Sequence, residues 1–145
     1  MKLSIITVVY KDLEGLKKTL ASVAAFSDGE VEHIVVDGSP DGEIRNHLEG
    51  LGQENIRWIS EPDDGLYDAM NKGLMLARGD YAIFMNAGDV FFPSTSITEI
   101  LEVLAAGDSV VLGYSVEAYR GDRFLRPGLG KESRVFENPA HQATF

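Results

Sequence analysis

At 145 residues, with 44% hydrophobic and 25% charged positions, the chain has the length and balance of one ordinary globular domain. Thirteen Lys and Arg against 23 Asp and Glu leave a net charge of −10, which argues against nucleic acid and anionic membrane surfaces as partners. The absence of cysteine excludes a disulfide framework, a zinc ribbon and a thiol nucleophile.

Residues 3–10 are β-branched and nearly all apolar, which predicts a strand covered on both faces. Asp12 can cap the helix that follows, whose apolar stripe is Leu13, Leu16, Leu20 and Val23. A second buried strand at 33–36 stops abruptly at Asp37-Gly38-Ser39-Pro40-Asp41-Gly42. Ile44, Leu48 and Leu51 predict a short helix, and 56–59 a third strand. Pro62 and Gly65 make 61–65 a loop. Leu66, Met70, Leu74 and Ala77 then predict a helix stripe ended by Gly79, before a fourth strand at 81–85. Ser96 and Glu99 have the capping-box spacing ahead of Ile97, Ile100, Leu101 and Leu104, and Gly107 closes that helix. A fifth strand is expected at 110–113, and one or two more within 115–124. From Arg126 onward Pro and Gly break all periodicity. The apolar start is too short for a signal peptide and no run nears a membrane span, so a cytoplasmic protein is expected.

Alternating strand and helix imply right-handed crossovers and a mainly parallel α/β sheet with helices on both faces. Such sheets bind ligands beyond the carboxyl ends of their strands. Three strands end there in polar clusters, at 7–12, 37–41 and 86–89. A dinucleotide glycine signature, a P-loop and a nucleophile elbow are all missing. What remains is a carboxylate-rich edge. Carboxylates in that position either bond ribose and base groups or hold Mg²⁺ or Mn²⁺ against substrate phosphates. In sugar transfer from a nucleoside diphosphate, such a cation stabilises charge on the departing diphosphate. The residues by themselves lead to a metal-assisted nucleotide ligand and no further.

Five segments, in order, resemble the family 2 glycosyltransferases. They are Ser4-Ile5-Ile6-Thr7-Val8-Val9-Tyr10, Val35-Val36-Asp37-Gly38-Ser39-Pro40-Asp41-Gly42, the run from Glu61-Pro62-Asp63-Asp64-Gly65 to Asn71-Lys72-Gly73, Ala77-Arg78-Gly79-Asp80-Tyr81, and Phe84-Met85-Asn86-Ala87-Gly88-Asp89. The likeness spans 3–113 and, more weakly, His141-Gln142-Ala143-Thr144-Phe145. It implies a GT-A fold, Rossmann-like, in one domain over 1–145, with a nucleotide-sugar portion at 1–113 and the start of an acceptor portion at 114–145. It also implies inverting transfer from a nucleoside diphosphate sugar, UDP-linked as a rule, to a saccharide or lipid-linked acceptor in cell-surface polysaccharide or glycan synthesis.

By position, the resemblance places Thr7, Val9 and Tyr10 in the base pocket. Asp37 would bond the uracil edge, with Gly38 and Ser39 beside it. Gly65, Asp68 and Asn71 would border the nucleotide and donor sugar. The family's D-x-D metal motif reads Asn86-Ala87-Gly88-Asp89 here, which gives Asn86 to the donor site and leaves Asp89 as the carboxylate for Mn²⁺ or Mg²⁺. The general base would lie beyond Phe145. The chain is therefore expected to be a donor-binding half, peripheral to the membrane through its acceptor, and to self-associate through the apolar face left uncovered.

Plainer roles compete at several positions. Asp64 is expected to be a helix N-cap. Asp68 and Lys72 have the spacing of a solvated helix pair, and spacing alone does not decide between that and ligand contact. His33, Trp58, Phe91 and Phe92 are expected in the core, and His141 on the acceptor side. A nucleotide-sugar-binding unit without turnover is the alternative function. A nucleotidyltransferase would need a basic glycine-rich turn where Tyr10-Lys11-Asp12 stands.

Overall fold

A computed structural model describes residues 3–26, 29–52, 55–92, 97–105, 115–119 and 122–126, in two compact units, Met1–Phe91 and Phe92–Phe145. In the first unit β1 (Leu3–Val9), β2 (Val31–Asp37), β3 (Ile56–Ser60) and β4 (Tyr81–Asn86) form a parallel sheet in the order β3-β2-β1-β4. The helices α1 (Leu13–Ala24), α2 (Glu43–Leu51) and α3 (Leu66–Leu76) supply the crossovers.

Strand alternation sorts the core into two layers. Val9 and Val35 pack with Leu16 of α1 and with Ile44 and Leu48 of α2, and Trp58 joins them as expected. Ile6, Val8, Ile34 and Val36 pack instead with Ala69 and Met70 of α3. Every residue of β1 is buried, which is why that segment reads as nearly all apolar. At the amino end of the sheet Glu32 accepts from Ser4 Oγ, the Gly79 N–H and Arg57, and Arg57 also donates to the carbonyl of Leu76, the last residue of α3. Burial pushes the Glu32 carboxyl up, but hydrogen bonds from Ser4, the Arg78 backbone and Arg57 outweigh it and hold it below the ordinary range.

Helix α3 keeps Leu66, Met70 and Ala77 of the expected stripe against the core and departs from it at Leu74. Leu74 is 45% exposed and Met75 87%, while Ala69, Met70 and Gly73 are the buried positions. A Cβ on Gly73 would stand 2.3 Å from Ile6 Cγ2, so the helix rides directly on β1. Gly73→Ala would gain about 1 kcal/mol of helix propensity but must displace a fully buried, β-branched neighbour. The expected net effect is a loss of about 1–2 kcal/mol in urea denaturation, and a gain would show that Ile6 yields freely. The helix also begins differently: the N-cap is Gly65, at φ 107, which has no side chain to cap with, and Asp64 is not the cap.

In the second unit α4 (Ile97–Ala105) follows the expected stripe, and β5 (Ser115–Tyr119) pairs antiparallel with β6 (Asp122–Arg126). Ser96, Gly107, the strand expected at 110–113 and His141 lie outside the described residues. Phe91 packs edge-to-face on Phe26, but Phe92 is 54% exposed and is not core. No described helix is long and apolar enough to cross a membrane.

Candidate functional site

The strand order places β2 on one side of β1 and β4 on the other, so the connections diverge at the carboxyl end of β1. That switch point is where open parallel sheets bind ligands. The register aligns Asp37 with Val9 and with Ser60, and Asn86 with Val8. Backbone bonds extend the pairing past the strands, from the Gly38 N–H to the Val9 carbonyl and from the Ala87 N–H to the Val8 carbonyl. A cleft of about 560 Å³ opens at this edge, lined by Val8, Val9, Tyr10, Asp12, Asp63, Gly65, Leu66, Ala69, Asn86 and Ala87.

Four residues assigned through the resemblance line it: Val9, Tyr10, Gly65 and Asn86. Tyr10 is 61% exposed, an aromatic face open to a ligand. The next residue, Lys11, is held at φ 53, a left-handed conformation uncommon for a residue with a Cβ. Its N–H donates to Ser39 Oγ at 2.8 Å, and its ammonium stands 5.2 Å from the Tyr10 ring centre. Asp12 spends Oδ1 on the Gly15 N–H at the start of α1, as expected of a cap, and still lines the cleft.

Asp37 is fully buried, with Oδ1 accepting from the Ser39 N–H at 2.9 Å and Oδ2 from Ser60 Oγ at 2.7 Å. It anchors the turn that in turn anchors Lys11 through Ser39. Gly38 lies close against the Asp63 carboxylate, so a side chain there would displace that carboxylate from its place at the cleft. Thr7 lies deeper, fully buried, with Oγ1 2.8 Å from His33 Nε2. Neither Asp37 nor Thr7 borders the cleft in this structure.

Asp68 and Asn71 are not among the cleft residues either. Asp68 Oδ2 accepts the Asp64 N–H at 3.1 Å and lies 3.3 Å from Lys72 Nζ. The Asp64 N–H, with help from Lys72, holds its carboxyl below the ordinary range. Asn71 is exposed on the outer side of α3. Asp12 and Ala87 fall within the strand-end clusters at 7–12 and 86–89, but the sequence reading did not single out Asp63, Leu66 or Ala69 as lining residues. Asp63 stands just after the carboxyl end of β3, whereas Leu66 and Ala69 reach the cleft from the first turn of α3.

The turn 86–89 is built from α1. Thr19, buried mid-helix, accepts the Gly88 N–H at 3.0 Å and donates to the Asp89 carbonyl at 2.8 Å. Gly88 sits at φ 98, which explains glycine at the third motif position. Asp89 Oδ2 accepts the Asn86 N–H at 2.8 Å. Among the described residues no three acids or histidines gather as a metal cage. Asp89 is not among the residues that line the cleft, whose acids are Asp12 and Asp63.

The family model for glycosyl transferase family 2 matches residues 4–143. An uncharacterized glycosyltransferase of Mycobacterium tuberculosis is 34% identical over 98% of this chain, and the chain spans 57% of that protein. S. aureus TarS 1–349 in complex with UDP-GlcNAc is 25% identical, with a TM-score of 0.56, over 73% of this chain and 30% of that one. A mannosyltransferase from Pyrobaculum calidifontis, in complex with GDP-Man and Mn²⁺, superposes with a TM-score of 0.60 at 20% identity, over 77% of this chain and 34% of that one. The α/β architecture is thus the GT-A one that the resemblance implied.

Proposed function

The chain belongs to glycosyltransferase family 2, and from that premise we propose that it binds a UDP-sugar as the donor side of an inverting glycosyl transfer. The observation that carries the reading is the cleft at the switch point of β1, walled by Tyr10, Asp12, Asp63 and Asn86. Its size suits a nucleotide, within the range of ordinary small-molecule sites. TarS, solved with UDP-GlcNAc, supports uridine over guanosine.

In the reaction, an acceptor hydroxyl of a saccharide or lipid-linked acceptor loses its proton to a carboxylate and attacks the anomeric carbon in line. The new C–O bond forms as the bond to the diphosphate breaks, which inverts the centre. A divalent cation, Mn²⁺ or Mg²⁺, would stabilise the charge on the departing diphosphate. Asp89 is its proposed protein carboxylate, and Asn86 borders the donor. Tyr10 offers its exposed ring for stacking on the base, and Asp37 its carboxylate for a base N–H. The setting is cytoplasmic, in cell-surface glycan synthesis.

Calorimetric titration with UDP and Mn²⁺ tests this reading, and the absence of heat at millimolar UDP would overturn it. Asp89→Asn keeps an acceptor for the Asn86 N–H but removes the charge. Its UDP affinity is expected to fall about tenfold with Mn²⁺ present and to stay unchanged in chelator. Equal losses in both would leave Asp89 as a turn residue.

A further inference from the structure

We infer that Lys72 is a positioning residue, bracing the 61–65 wall of the cleft so that Asp63 and Gly65 stand ready for the nucleotide. This rests on the reading of the cleft as a nucleotide site. The loop is tied to the sheet at one end, where the Glu61 N–H donates to the Asp37 carbonyl at 3.0 Å. Gly65 at the other end begins α3. Between them Asp63 and Gly65 face the cleft.

Lys72, from the second turn of α3, reaches back across this span. Its ammonium donates to the Pro62 carbonyl at 2.6 Å and pairs with Glu61 Oε1 at 3.1 Å and Asp68 Oδ2 at 3.3 Å. The same Asp68 oxygen accepts the Asp64 N–H, and Asp63 Oδ1 accepts the Gly65 N–H at 2.9 Å. One ammonium thus links the loop at 61, at 62 and, through Asp68, at 64. Its three protons meet three acceptors, which leaves none for a ligand. Lys72 therefore acts through the wall rather than by touching the substrate. The Glu61 carboxylate beside it, helped by Asp68, holds the ammonium above the ordinary lysine range, so the brace stays charged across neutral pH.

Releasing the brace lets the loop leave its binding-competent shape. Apparent affinity then falls in proportion to the competent fraction. Lys72→Met keeps the aliphatic stem and the helix propensity. Its UDP affinity is expected to fall roughly three- to tenfold, with the melting temperature unmoved because exposed ion pairs contribute little to stability. Backbone hydrogen exchange at Asp64 and Gly65 should quicken in the same variant, and Lys72→Arg should restore both readouts. Unchanged exchange in Lys72→Met overturns the brace. Weaker UDP binding without faster exchange also overturns it, because that pattern belongs to direct ligand contact. A wild-type chain that binds no UDP tells against the proposed function instead, and the exchange rates still decide whether Lys72 braces the loop.

Discussion

Asp37→Asn is expected to fold like the parent chain yet bind UDP roughly 10- to 150-fold more weakly, the loss of one charge-assisted hydrogen bond. The carboxylate is fully buried, and two of its acceptor sites are taken by the Ser39 N–H and the Ser60 hydroxyl. The proposed base N–H would approach Oδ2, on the side of the Ser60 hydroxyl from the edge strand β3. In Asp37→Asn the Ser39 N–H fixes the amide with its oxygen toward Ser39. Its NH₂ then faces Ser60, whose hydroxyl can turn to accept, so stability changes by less than about 1 kcal/mol. The same NH₂ meets an incoming base N–H as donor against donor. Asp37→Ala, by contrast, strands the buried Ser39 N–H and frees the half-buried Ser60 hydroxyl, and should cost about 1–3 kcal/mol of stability, confusing the two roles. Measuring UDP affinity by calorimetry and stability by urea denaturation on Asp37→Asn separates them. Parental affinity in that variant would remove the base contact and leave Asp37 as the anchor of the 38–39 turn.

Much of this edge was legible because periodicity and punctuation act locally. The largely apolar run of β1, the stop at Asp37-Gly38 and the cap at Asp12 all follow from residue chemistry within a few positions. The parallel sheet then dictates that strand ends converge. What could not be read depends on contacts distant in sequence. Leu74 looks like a core residue of α3, yet the close approach of helix and sheet at Ile6 favours Gly73 on the buried face. Asp64 looks like a cap, but the chain enters α3 at φ 107, which glycine adopts and aspartate does not. Thr19 looks like an ordinary helix residue, and only the fold reveals that it holds the turn 86–89. Asp68 had the spacing for either a lysine pair or a ligand, and its pairing with Lys72 and the Asp64 N–H depends on where the 61–65 loop lies.

The fold should weaken sharply as pH falls from about 6.5 toward 4, and His33 is the cause. Its ring lies in the layer between the sheet and α1, only 5% exposed and paired with Thr7. Burial pushes the imidazole down to about 4 from its ordinary 6.5. Above 6.5 both folded and unfolded chains hold a neutral ring, and this contribution is flat. Between 6.5 and about 4 the unfolded chain takes up a proton that the folded chain refuses, so stability drops with each step of acidification. Below about 4 both states are charged and the loss is complete, near 3 kcal/mol in all. Carboxylates held low, such as Asp68 beneath the Asp64 N–H, give up their stabilisation only as pH falls below their ordinary value of 3.8. The interval above pH ~5 therefore reports on the histidine. Unfolding free energies from urea denaturation at pH ~7.5 and ~5 should differ by about 2 kcal/mol in the parent chain. In His33→Gln, which keeps a polar partner for Thr7 and takes up no proton, the two should nearly coincide. Equal slopes in both chains would mean that the acid sensitivity lies elsewhere and that the imidazole is protonated freely inside the sheet.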